Sequence, residues 1–375
     1  MHRQARRTLT LAVVLSSILP ITSDPSNAAE AIVQPALDGI FAAFETHPLV
    51  GIGEQHSLAN GMAFNVKVIR DPRFAAIGNV VFELGASQHQ DILDRYLAGE
   101  DVPYSEIAKV WRNTVGAHPT VTGIGYQTFF AEVRAVNQAL PPDQRIRVWL
   151  GDPPVDWSSI QTREQWEQIY DQREQFPADL IVREILDRRE KALVIYSIGH
   201  ILSFPWPSTW PIPSTGTEVM GEIVEQAYPG SFYTVATYGG YYQKPECSAA
   251  LEARMDWPKE VLIAPVRDTP LVDALMRPEC IRPVEGIDPP LPADELARLE
   301  QRFYEMDTGV AGDALLYLAP AAELIPMPVD PTVWMDVDYY EELRRRWQIR
   351  TGQSPPPLQD FLSIFAGPPR PLWTP

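Results

Sequence analysis

The 375-residue chain sets 31 Lys and Arg against 49 Asp and Glu, for a formal net charge of −18, and 45% of its residues are apolar. That composition supports a folded core but offers no basic footprint for releasing counterions from a polyanion, so it argues against a nucleic-acid partner. The two cysteines, Cys247 and Cys280, show no C-x-x-C spacing, which sets aside a cysteine metal centre or redox motif.

In chain order, residues 1–29 place Arg3, Arg6 and Arg7 before the apolar run LTLAVVLSSILPI and a small, polar stretch. This is the layout of a secretory leader, with cleavage expected near Ala28 or Ala31. The run is short for a bilayer span, so no stable membrane anchor is expected after cleavage, and the mature protein is expected in the periplasm or outside the cell. Removing three arginines and Asp24 leaves the mature chain near about −20. In an oxidising compartment, Cys247 and Cys280 are expected to form a disulfide.

The first strand is expected at LVGIG (49–53), followed by a helix carrying Leu58, Met62, Val66 and Ile69 on one face and stopped at Asp71-Pro72. NVVFELG (79–85) reads as the second strand and leads into a helix with Ile92, Leu93, Tyr96 and Leu97 aligned. Phe129, Val133, Val136 and Leu140 mark another helix before the strand RIRVWLG (145–151). A charged helical stretch (163–190), interrupted by Pro177, precedes ALVIYSIG (192–199), and a helix around 217–227 precedes SFYTVATY (231–238). Further strands are expected near 261–264 and 314–318. Apolar strands alternating with helices imply an α/β fold, a mostly parallel sheet covered by helices on both faces. The domain is expected over 30–330, with a helical insertion at 100–140, and residues 331–375 should form a helix and a Pro-rich tail.

In such sheets ligands bind outside the carboxyl ends of the strands. The first strand ends in Glu54 and His56, the second in Glu83, the third in Asp152 and the fourth in His200, so five proton-exchanging residues fall on one edge. Asp152 also suits a turn cap, and His200 a satisfied core histidine. Glu83 is hardest to read as structure alone, because a carboxylate inside VVFELG needs a partner when buried.

These stretches resemble a family. GEQHSLANGMAFNVKVIRDPRF and NVVFELGASQHQDILDRYLAGE are similar to the N-terminal half of the erythromycin esterase, ChaN-like and Tiki/TraB superfamily. The resemblance runs over residues 49–202, through the Gly53-to-His56 strand end, Glu83, and the SIGH strand end with His200. FFAEVRAVNQALPPDQRIRVWLGDPP matches the esterase helix with Arg134 and Asn137 leading to a Gly-Asp strand end. One residue separates Glu54 from His56, the spacing of the ChaN-like branch.

With no G-x-S-x-G, H-E-x-x-H or phosphate loop, the cluster itself must activate water. The leading expectation is a hydrolase of a small-molecule or peptide ester or amide. His56 is its general base, Glu83 and Glu54 orient His56, and His200 holds the substrate or the developing oxyanion. Asp152, Arg134, Asn137 and Tyr238 are expected to bind substrate, and no cofactor is required. A divalent metal on His56, Glu54, Glu83 and His200 is the metal version of the same chemistry. Alternatives are a ChaN-type haem- or small-ligand-binding protein, with Tyr238, Tyr241 or Tyr242 near the mouth, and a non-catalytic member. The sequence leaves the oligomeric state open.

Overall fold

Each of these apolar runs becomes a strand of one sheet because its residues are buried on both faces. All six residues of β2 (Leu49–Glu54) and all eight of β3 (Asn79–Ala86) are buried. The computed structural model describes residues 31–357 apart from Gln55, Ser57, 117–122, 202–217, 240–244, Arg254, 267–311 and Pro356. The other strands are β1 (Ile32–Pro35), β4 (Arg147–Asp152), β5 (Ala192–Ser197), β6 (Phe232–Thr237), β7 (Val261–Ala264) and β8 (Ala314–Tyr317). They form an eight-stranded sheet in the order β1-β7-β8-β6-β2-β5-β3-β4. The run from β8 to β4 is parallel throughout, and β7 pairs antiparallel with both β8 and β1. The fold is therefore α/β, with the mostly parallel sheet that the alternation of runs and helices predicts.

Alternate residues sort to opposite faces. Val50, Ile52, Val80, Phe82, Leu193 and Ile195 share one core with the helices Ala59–Arg70 and Ile124–Ala139, through Met62, Val68, Phe129 and Phe130. Val81, Trp149, Val194 and Tyr196 belong to the opposite core, under the helices Gln175–Ile181 and Met220–Ala227. Burial of the aromatic and branched side chains on both faces supplies the main stabilisation.

Two details, the edge strand and the break in the charged stretch, differ from the sequence expectation. β1, unmarked by any long apolar run, sits at the sheet edge. The charged stretch breaks at residues 171–174, between the helices Arg163–Tyr170 and Gln175–Ile181. Pro177 lies in the first turn of the second of these helices, where its missing N–H has no intrahelical partner to lose. The region expected as a helical insertion contains two one-turn helices, Tyr104–Ile107 and Lys109–Arg112, before the long helix from Ile124. At the C-terminal end, Asp336 caps the helix Val337–Thr351 by accepting from Tyr339 N at 3.1 Å. No helix among the described residues is long and apolar enough to cross a membrane. The leader, Cys280 and the Pro-rich tail beyond 357 lie outside the described residues, and so does the side chain of Cys247.

Candidate functional site

The parallel order brings the carboxyl ends of β2, β5, β3 and β4 side by side, and this gathers Glu54, His56, Glu83, Asp152 and His200. The glycines of GIGEQHS serve packing rather than a tight turn. A Cβ on Gly51 would lie 2.4 Å from the Phe232 ring, and one on Gly53 would lie 2.9 Å from Ile198. Their absent side chains let β6 and the turn Ile198–Ile201, which carries His200, close over β2.

Glu83 is the hub. Its ladder with β5 ends at Phe82–Ile195, and its register with β4 shifts between Phe82 and Ala86. Such irregularity re-aims side chains next to sites. The Glu83 carboxylate takes the place of the missing ladder partner, with Oε2 accepting from Ser197 N at 2.7 Å. Its Oε1 accepts from Arg173 Nη2 at 2.7 Å and faces His56 Nε2 at 3.8 Å and His200 Nε2 at 3.5 Å. Burial opposes its charge, yet His56, His200 and Arg173 outweigh that effect and hold its pKa down at about 2.

Each imidazole is fixed from behind by a carboxylate. His56 Nδ1 donates to Glu54 Oε2 at 2.6 Å, and Tyr126 Oη donates to the other Glu54 oxygen at 3.2 Å. His200 Nδ1 donates to Glu174 Oε1 at 2.6 Å, and Glu174 Oε2 accepts from Met220 N at 2.8 Å. For His56, burial is the largest influence and disfavours the charge, but Glu54 and Glu83 together raise its pKa to about 9. Burial likewise opposes the charge on His200, and Glu174 and Glu83 raise its pKa. The expectation of His56 as a base ready at neutral pH therefore meets an imidazolium, because buried carboxylates stabilise the proton it would have to lose.

Asp152 lies beside this hub. It accepts from Val115 N through Oδ2 and from Arg173 Nε through Oδ1 at 3.3 Å. Burial pushes its pKa up to about 7, against the pull of Arg173. Trp166 Nε1 and Trp157 Nε1 donate to Val115 O and Thr114 O at 2.9 and 3.1 Å, so the loop reaching Asp152 is itself held. A cleft beyond β4, lined by Gln88, His89, Asn113, Trp157, Glu342 and Arg345, includes neither His56 nor His200.

Three expected substrate-binding residues are elsewhere. Arg134 donates to the carbonyls of Tyr96, Glu100 and Gly99, which satisfies the end of the helix Gln90–Ala98. Asn137 donates to Ile146 O at 2.8 Å and accepts from Ile146 N at 2.7 Å, tying its helix to the segment entering β4. Tyr238 is 1% exposed, and its hydroxyl donates to Glu252 at 2.8 Å, so it is a core residue and not open to a ligand. Tyr241 and Tyr242 lie outside the described residues.

Sequence reasoning does not single out Arg173 and Glu174, since they stand in a charged helical stretch whose expected interruption is Pro177. The signal available was YDQREQFP, where a charged stretch approaches Pro177 and a helix boundary is favoured. Arg173 also decides the metal question. Carboxylates behind both Nδ1 atoms match the surroundings of metal-bound histidines. However, the guanidinium occupies the Glu83 oxygen that faces both imidazoles, and the carboxylates around His56 and His200 favour the charged form of each ring, which cannot ligate. Among the described residues, no three His, Cys, Asp or Glu side chains are placed to hold a metal ion. The residues present do not fit a divalent ion.

No family model and no curated protein matches the chain. Solved structures align at low similarity. A protein from Bacillus cereus is 13% identical over 59% of this chain and 70% of its own, with a TM-score of 0.37. The type III effector HopBA1 is 14% identical over 57% of this chain and 90% of its own, at 0.35. ChaN of Campylobacter jejuni, described with cofacial haem binding, is 13% identical over 54% of this chain and 86% of its own, at 0.34. At such distances these likenesses carry no functional argument.

Proposed function

We propose that the protein is an exported hydrolase that cleaves an ester or amide bond in a small molecule or peptide, with proton transfer by histidine–carboxylate pairs at the strand ends. One observation carries this reading. Two imidazoles on neighbouring strand ends are each clamped at Nδ1 and turn Nε2 toward one buried carboxylate oxygen, at 3.8 and 3.5 Å. These separations are too long for hydrogen bonds, so neither Nε2 is committed to Glu83. The side chains are 17% and 19% exposed, which lets a reactant approach them. A group able to give or take a proton within reach of a substrate typically contributes roughly 10²–10⁴-fold to rate.

Export follows from the arginines and apolar run of residues 1–29. The test is a panel of p-nitrophenyl esters, alkyl esters, lactones and peptide amides, assayed from about pH 6 to about pH 10 with wild type and His200→Ala. Hydrolysis of one class by wild type, reduced at least about a hundredfold in His200→Ala, supports the reading. A panel left uncleaved by the wild type, or cleaved equally by the variant, removes it.

A further inference from the structure

We infer that the two histidines divide the proton transfers: His200, oriented by Glu174, takes the proton from water, and His56, held by Glu54, gives a proton to the leaving oxygen. This rests on the hydrolase reading and assigns to Glu174 the part of a positioning residue.

The two pairs are alike in geometry and unlike in environment. Both Nδ1–carboxylate contacts are 2.6 Å. The Glu54 side chain is 4% exposed, and its other oxygen has a tyrosine hydroxyl at 3.2 Å. The Glu174 side chain is 24% exposed, and its second oxygen is engaged by the Met220 N–H. Each second oxygen has one donor, so exposure separates the pairs: a negative charge shut away from water holds a proton on its partner more firmly than one that water already stabilises.

The remaining charged neighbours, Glu83 and Arg173, act on both rings, and Tyr196 meets the His200 ring edge-on at 6.0 Å. Deprotonating His56 would leave Glu54 buried beside a neutral ring, whereas deprotonating His200 leaves a part-solvated Glu174. Of the two, His200 is the one that gives up its proton first. The Nδ1–H to Glu174 then fixes the tautomer whose Nε2 carries the free lone pair. Two titratable groups whose surroundings push them apart in this way make an acid and a base.

For an ester, Nε2 of His200 removes a proton from water as the water oxygen bonds to the acyl carbon and the carbonyl π pair moves onto its oxygen. When that pair returns, the bond to the alkoxy oxygen breaks, and the oxygen takes the proton from His56 Nε2. Acid and alcohol leave. His200 is then charged and His56 neutral, and solvent returns the proton from one to the other.

Leaving-group dependence tests the division. The probes are a p-nitrophenyl ester and an alkyl ester of the same acid, because nitrophenolate departs without a proton and an alkoxide does not. His56→Ala and Glu54→Gln should lower kcat/KM for the alkyl ester by roughly 10²–10⁴-fold and for the nitrophenyl ester by less than about tenfold. His200→Ala and Glu174→Gln should lower both alike, a pattern that loss of structure at Glu174 alone would not separate from the Glu54 variant. The reverse pattern overturns the assignment. If wild type cleaves neither ester nor any other member of the panel, the hydrolase reading falls. Ring ¹⁵N spectra of histidine-labelled wild type then still decide the proton inventory. Between the two titrations His200 should be the neutral Nδ1–H tautomer and His56 charged, and a neutral His56 beside a charged His200 refutes the proposal.

Discussion

Glu83→Gln removes the one negative charge that faces Arg173, His56 and His200 while keeping the shape of the side chain and an oxygen for Ser197 N. The fall of the Glu83 pKa from 4.5 to about 2 corresponds to roughly 3 kcal/mol of native-state stability. That contribution is fully present above pH 4.5 and is lost as pH falls toward 2. The rise of His56 from 6.5 to about 9, produced by Glu54 and Glu83 against burial, is worth a similar amount. It is fully present below pH 6.5 and lost as pH rises through about 9. The two figures overlap, because each counts the same Glu83–His56 attraction. Breaking a buried ion pair by removing one partner costs about 3–5 kcal/mol. Urea denaturation at a series of pH values is the assay. The variant should be about 3–5 kcal/mol less stable near pH 6, and the gap should narrow above about pH 9 and again toward pH 2. A loss below about 1 kcal/mol near pH 6, or a gap that does not change with pH, would refute the hub reading.

Asn137→Ala should cost about 2–4 kcal/mol, because it leaves the N–H and C=O of Ile146 without their partners, while KM for any cleaved substrate stays unchanged; a raised KM at unchanged stability would put the side chain back in a substrate site. Gly151→Ala would place a Cβ 1.8 Å from Tyr196 Oη and should lower thermal stability by about 1–3 kcal/mol. Among the described residues the buried Tyr196 hydroxyl has no hydrogen-bond partner, so Tyr196→Phe should restore part of that loss, and equal melting of the single and double variants would contradict the packing account. Exported protein should begin near Ala29 or Ile32, with no reactive thiol after denaturation without reductant; an intact Met1 would refute cleavage, and two labelled cysteines would refute the Cys247–Cys280 bridge.

The strand ends were legible because each is a local pattern, an apolar run closed by a polar residue, and a parallel sheet converts sequence-distant ends into neighbours. Glu83 stood out for the same reason, as a carboxylate where burial demands a partner. β1 carried no such pattern, since an edge strand is buried little; Ile32, Val33 and Pro35 are exposed and Gln34 is half-buried. A resemblance in sequence makes Arg134 and Asn137 look like substrate contacts, yet their partners are backbone groups. A helix end and a strand entry need donors and acceptors as much as a ligand does. Side-chain type alone does not distinguish the two uses.

Arg173 and Glu174 show what a strand-end reading leaves out and why it matters chemically. Glu54, Glu83, Asp152, His56 and His200 are, by residue type alone, the donors that a divalent ion takes. The loop at 171–174 adds a guanidinium that neutralises Glu83 and Asp152, and a carboxylate that gives His200 a partner like the one His56 has in Glu54. With the first, a metal loses its oxygen ligand; with the second, His200 stops being a lone donor and becomes half of a matched pair. For the proposed hydrolysis, the choice between metal-assisted and histidine-borne proton transfer therefore turns on two adjacent residues whose position depends on where a helix breaks. Helix breaks are set by how the flanking helices pack on the sheet, which local periodicity does not encode.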